Sequence, residues 1–303
     1  MGFLVALGFL TSIPIPLRRV WEPRELASSR AYFPLVGLLI GGLLAGLDWL
    51  LRLFLPVALS SVLLLLVWVL LTGGLHLDGL MDTCDGVFGG TEPQQRREIM
   101  ADPRVGGYGV VGAVLLFLIK ASALISLPVS GRIASLALVP VISRWAMVLA
   151  IALFPYAKAQ GLGAAFQGEG RFVAAVVAGV ISLVASYLLL GMAGIGLLLV
   201  CSLAAWALGR WLSSLLGGLT GDTYGAVNEV VEALALVILV AVLPLGVRHG
   251  TESGTPAPHP PITGGVGRGG GPAGFFSSSR SSTSTAFSTH GSPPLMRTSG
   301  RST

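Results

Sequence analysis

Residues 59–86 read LSSVLLLLVWVLLTGGLHLDGLMDTCDG and run from an uninterrupted apolar segment straight into a cluster of acids. The apolar half, 59–73, carries no charge and reads as a short membrane helix. In the second half Asp78, Asp82 and Asp85 stand at i, i+4 and i+7, so one helical face presents three carboxylates. On a bare helix such like charges repel by a few tenths of a kcal/mol per pair, about 0.2–0.5. A divalent cation is the usual physical reason to collect them at a membrane surface, since hard oxygen ligands suit Mg²⁺. A solvated acidic helix end is the plain alternative. Gly73, Gly74, Gly79 and Gly86 interleave the acids and let backbone approach a ligand closely.

The rest of the chain shares this apolar character. Of 303 residues, 53% are hydrophobic and 11% charged, against about 25% charged in a soluble domain. Such a chain cannot hide its apolar surface in a water-soluble core. The expected fold is all-α: a polytopic integral membrane helical bundle of about 6–7 spans, with residues 1–17 as an N-terminal re-entrant or interfacial segment broken by TSIPIP. Spans are expected near 32–55, 59–73, 108–127, 133–154, 172–190, 193–208 and 230–245, joined by polar loops at 74–106, 155–171 and 209–229. The two cysteines, Cys84 and Cys201, lie far apart and suggest neither a disulfide framework nor a zinc site. The net charge of +5 reflects loop arginines and a basic tail rather than nucleic-acid binding.

Orientation follows from the Lys and Arg residues. With the N-terminus cytoplasmic, that side receives Arg18, Arg19, Arg24, Arg30, Arg96, Arg97, Arg104, Lys158, Arg171 and Arg210. The opposite side receives only Arg52, Arg132 and Arg248 before the tail. Every polar, glycine-rich loop then falls on the cytoplasmic face. Residues 1–248 form the membrane domain, and 249–303, rich in Gly, Ser and Pro, read as a disordered tail.

Three polar elements supply candidate chemistry. Arg104 stands among Gly106, Gly107 and Gly109 before a membrane helix, as a phosphate site or a positive-inside anchor. Asp102 is a fourth metal ligand or the group that orients Arg104. Ser143 and Arg144 lie within an apolar helix, where a charge pairs with a carboxylate or binds phosphate. Asp222, Asn228 and Glu229 complete a metal or substrate site, or cap the last helix. His76 is a base, a substrate contact or polar packing. Lys120 is expected to snorkel, and Asp48 to pair with Arg52 at i+4. Carboxylates for metal and arginines for phosphate together suggest phosphoryl transfer, and no Walker loop is present.

At these residues the chain resembles the cobalamin synthase (adenosylcobinamide-GDP ribazoletransferase) family. The resemblance rests on FLTSIPIP (9–16), YFPLVG (32–37), GLHLDGLMDTCDG (74–86), MADPRVGGYG (100–109), Ser143-Arg144 and GDTYGA (221–226), and spans about residues 1–247. It implies an Mg²⁺-dependent enzyme of the bacterial inner membrane. Such an enzyme joins adenosylcobinamide-GDP to α-ribazole or its 5′-phosphate, releasing GMP. Asp78, Asp82 and Asp85 would then hold the metal, one doubling as base, with Arg104 on phosphate. Association with other corrin-pathway enzymes could accompany catalysis. The acidic motif is also similar to that of CDP-alcohol phosphotransferases, but Asp82-Thr83 stands where their Ala-Arg falls. A transporter using Asp48, Lys120 and Arg144 would show polar groups at mid-membrane and symmetry between halves; no internal repeat is evident.

Overall fold

A computed structural model describes residues 1–15, 21–157, 162–168 and 170–251. Arg18, Arg19, Lys158 and the tail from 252 lie outside the described residues. Those described are helical, apart from connecting turns and one isolated bridge between Tyr156 and Leu219. Helix α1 (Gly2–Leu10) is far shorter than the ~30 Å of a hydrocarbon core. It inserts Val5, Ala6 and Leu10 into the bundle, and Ser12 after it donates Oγ to Leu70 O at 2.7 Å. The expected N-terminal non-spanning segment is therefore a short helix tied to the chain at Leu70. Helix α2 (Pro23–Ser29) opens with a capping box between Glu22 and Glu25. A 3₁₀ turn (Arg30–Tyr32) leads from it into α3 (Phe33–Leu51).

Helix α4 (Val57–Leu71) turns by 89° into α5 (Leu75–Gly89) through Gly73 and Gly74. These hold φ of 62° and 71°, a region that only glycine enters without strain. After α6 (Pro93–Ile99) come α7 (Gly107–Ser126) and α8 (Val129–Leu153). Helix α8 is the hub and packs on α3, α10 and α11. Gly37 and Gly41 let α3 lie directly on it, since a Cβ at either would collide with the carbonyl of Pro140 or Ala137.

After α9 (Leu162–Ala165), helix α10 (Arg171–Leu216) breaks at Gly191 (φ 59°, ψ −138°) and folds back. Trp145 of α8 contacts both arms: its ring lies beside Gly179, and Nε1 donates to Ser202 Oγ at 2.8 Å. The two arms are the expected fifth and sixth spans. Among the described residues five helices, with α10 counted once, are long and apolar enough to cross a membrane, or six if the bent α4–α5 pair is one span.

The structure corrects two expectations here, the loop at 209–229 and the loop position of Arg132. Residues 209–229 are no polar loop: α10 runs to Leu216 and α11 (Gly221–Thr251) starts five residues later, so Asn228 and Glu229 sit inside a helix of the bundle. Asp48 makes the expected i, i+4 ion pair with Arg52 at 3.9 Å and is held more closely by Arg132, whose Nε and Nη2 donate to it at 2.8–3.0 Å. Arg132 also reaches Ser61 Oγ and Leu124 O, and is wholly buried rather than in a loop.

Candidate active site

Two helix N-termini meet to make the site. The bend at Gly73–Gly74 swings α5 across the bundle, where its first turns meet the first turns of α11. At the crossing a Cβ on Gly79 would lie 2.6 Å from Asp222 O, and one on Gly225 would lie 3.0 Å from His76 O. Backbone therefore rests on backbone, and Asp78 and Asp222 come to one place. Each is in the first turn of its helix, where the positive end of the macrodipole favours a carboxylate. Thr220 Oγ1 adds a bond to Asp222 Oδ2 at 3.3 Å.

These two acids share the rim of a cavity of about 340 Å³. Its wall is strongly aromatic: Phe9 of α1, Phe33 of α3, Phe166 after α9, Tyr156 after α8 and Tyr224 of α11, with Met147 and Ile151 of α8. Phe9, Phe33 and Phe166 form a cluster with ring centroids 4.8–6.1 Å apart. Burial pushes the Tyr156 hydroxyl above its ordinary pKa, so it is protonated at neutral pH. None of these rings was among the sequence candidates. The available signal was that Phe9, Phe33 and Tyr224 lie within the quoted motifs; Phe166 lies in none.

The remaining sequence candidates separate. Asp82, one turn beyond Asp78, is half-buried on α5. Asp85 is buried, and its carboxylate accepts from Gly106 N at 2.9 Å and Gly109 N at 2.8 Å. It caps the start of α7, and both glycines are required beside it because a Cβ on either would meet its oxygens. Asp102 holds Arg104 in a two-point pair, with Nε to Oδ1 at 3.0 Å and Nη2 to Oδ2 at 2.7 Å. That makes it the orienting group of the two readings above. Hydrogen bonds from Arg104 draw the Asp102 carboxyl down to about 2. The Arg104 side chain is 88% exposed and projects from the loop before α7.

Arg144 and Asn228 belong to a buried polar cluster instead of the cavity rim. Glu232 at its centre accepts from Arg144 Nη1, from Ser143 Oγ at 3.2 Å and from Asn228 Nδ2 at 3.2 Å. Lys120 donates to Glu232 at 2.6 Å and to Glu229 at 2.5 Å, with its Nζ 5.1 Å from the Trp68 ring. Lys120 is 3% exposed, so the expected snorkelling is wrong: two acids from α11 hold it inside the bundle. For Arg144 the structure realises carboxylate pairing. His76 is 1% exposed on the cavity wall, and neither ring nitrogen has a hydrogen-bond partner among the described residues.

Among the described residues no three His, Cys, Asp or Glu side chains gather into a ready-made metal cluster. The acids near the rim nonetheless suit Mg²⁺ in kind. This ion keeps several waters and takes one or two protein carboxylates plus substrate phosphates, so it needs no all-protein cage.

Comparison with known proteins gives the family. Residues 2–240 match the family described as Cobalamin-5-phosphate synthase. The chain is 41% identical over 240 residues to the adenosylcobinamide-GDP ribazoletransferase of Geotalea daltonii, covering 79% of this chain and 97% of that one. It is 42% identical over 249 residues to the protein of that name from Pseudomonas savastanoi pv. phaseolicola, covering 80% and 100%. With the Thermosynechococcus vestitus protein of that name it shares 44% identity over 241 residues, covering 78% and 94%. No solved structure matches.

Proposed function

Because this chain belongs to the cobalamin synthase family and is a transferase of cobalamin biosynthesis, we propose that it joins adenosylcobinamide-GDP to α-ribazole or α-ribazole 5′-phosphate and releases GMP. The observation that carries this reading is the meeting of Asp78 and Asp222 at the mouth of a nucleoside-sized cavity. A ribose hydroxyl oxygen attacks the phosphorus on the cobinamide side of the diphosphate. The new P–O bond joins ribazole to cobinamide phosphate, and the bond to GMP breaks. The hydroxyl proton passes to a rim carboxylate, with Asp78 and Asp222 as the nearest candidates. GMP departs with the bonding electron pair.

Asp78, Asp82 and Asp222 are the side chains that would hold Mg²⁺ together with the substrate diphosphate. When bound, that ion would neutralise the diphosphate and the leaving GMP. Arg104, held outward by Asp102 and 88% exposed, would meet a phosphate approaching the α5–α7 side. Asp85 acts at one remove, by fixing α7 and the glycine loop that presents Arg104. The Lys and Arg distribution supports a reading in which this face lies on the cytoplasmic side of the membrane, where both substrates are water-borne.

The test uses full-length protein in nanodiscs with adenosylcobinamide-GDP, α-ribazole and Mg²⁺, following GMP and cobalamin together. Equimolar products, lost on chelation and in Asp82→Ala and Asp222→Ala, are expected. Absence of both products from well-folded protein would overturn the assignment.

A further inference from the structure

The cavity beside the acid pair has a chemical character of its own. Its rim is polar and open, with Asp78 exposed and Asp222 half-buried. Its interior is closed and apolar: Phe33, Phe166, Met147 and Ile151 are each no more than 3% exposed. The buried polar members are His76, with two ring nitrogens unpartnered among the described residues, and Tyr224. Tyr224 already accepts from Gln167 Nε2 at 3.0 Å, which leaves its own hydroxyl hydrogen to donate.

Two bases compete for such a space, because both substrates carry one. Guanine presents several donors and acceptors on its edges, and carbon-lined walls would leave most of them unpaired, which is costly in a buried site. The dimethylbenzimidazole of α-ribazole has a single free ring nitrogen and two methyl groups, and a dry aromatic slot suits it. A volume of about 340 Å³ matches a two-ring riboside and is too small for a corrin macrocycle.

Resting on the transferase reading above, we propose that the aromatic cavity is the α-ribazole subsite. The base lies among Phe33, Phe166, Met147 and Ile151, and the ribose hydroxyls emerge beside Asp78 and Asp222. Adenosylcobinamide-GDP then stays outside, on the Asp82 and Arg104 side. The cavity selects the lower base by shape and apolarity, while the rim selects the ribose.

Equilibrium dialysis of the full chain in nanodiscs, with α-ribazole alone or GMP alone, tests this directly. Ile151→Phe narrows the cavity, Phe166→Leu loosens it, and Gly42→Ala, with open space around it, is the control. The expected result is that Ile151→Phe weakens α-ribazole binding by about tenfold or more and raises its KM in parallel. The KM for adenosylcobinamide-GDP should stay within about twofold, and Phe166→Leu should weaken α-ribazole binding several-fold. The riboside without its two methyl groups should bind about tenfold more weakly to the wild type. Unchanged α-ribazole binding in both cavity variants, or a loss confined to GMP, would overturn the subsite. Binding of α-ribazole that obeys this pattern without any transfer would retain the subsite and remove the proposed reaction. Transfer in which the cavity variants move only the KM for adenosylcobinamide-GDP would do the reverse.

Discussion

Asp82 and Asp85 are three residues apart on one helix and have different employment. Asp85 spends both oxygens on the backbone N–H groups that open α7, so Asp85→Ala should cost about 2 kcal/mol of stability, read as a lowered unfolding midpoint. Asp78→Asn and Asp82→Asn should instead lower kcat by about 10²-fold or more with the unfolding midpoint unchanged. The spacing i, i+4, i+7 put all three acids on one face correctly, but spacing is silent about what docks on the last turn. Asp102 gives a pH prediction. Its folded pKa is depressed to about 2, so the pair with Arg104 is fully charged above the unfolded value of about 3.9 and is lost only as pH falls through about 2. Any acid limb of the rate profile between pH 4 and 7 must therefore come from another group, and Asp102→Asn should leave that limb in place. Being solvent-exposed, the pair adds little stability, so this variant should unfold at the wild-type midpoint.

At the scale of elements, what matters is how α5 reaches α11. The two left-handed glycines between α4 and α5 are legible in the sequence as a break, but the 89° angle is set by packing. Gly79 has no room for a side chain, and an added methyl must push Asp222 and the whole first turn of α11 away. Gly79→Ala should reduce kcat by about tenfold or more, because sub-ångström misplacement of reacting groups is expensive, and should cost about 1–3 kcal/mol in stability. Steady-state kinetics and thermal unfolding measure both. The apolar period placed the membrane helices well because lipid demands long uncharged runs. It fails at 209–229, where polarity suggests a loop and the chain is mostly helical. Asn228 and Glu229 are polar because they face a charged interior, and a helix buried in protein can carry charge that lipid would not accept.

Across the whole molecule two buried ion networks tie the helices together. Asp48 of α3, Ser61 of α4 and Arg132 of α8 form one; Lys120 of α7, Arg144 of α8 and Glu229 and Glu232 of α11 form the other. Removing one partner strands a charge in a dry interior. Asp48→Ala and Glu232→Ala should each cost about 3–5 kcal/mol, while the double change Asp48→Leu with Arg132→Met should recover most of that loss. Unfolding midpoints of the three variants in one detergent decide the matter. The charged residues that would line a transport path are thus mutually neutralised within these networks.

The sequence by itself determined the all-helical membrane architecture, the family and the acid-rich element proposed to carry the chemistry. Those follow from composition, apolar run length and short local motifs, all of which survive without knowledge of neighbours. Only the tertiary structure decided which acids share a site. Asp222 joins Asp78 because α5 and α11 cross at two glycines far apart in the chain. Lys120 is held by acids 109 and 112 residues away, and Arg132 answers Asp48 across 84. Partners at such separations are chosen by packing in three dimensions, and helical spacing reports only the residues within a turn or two.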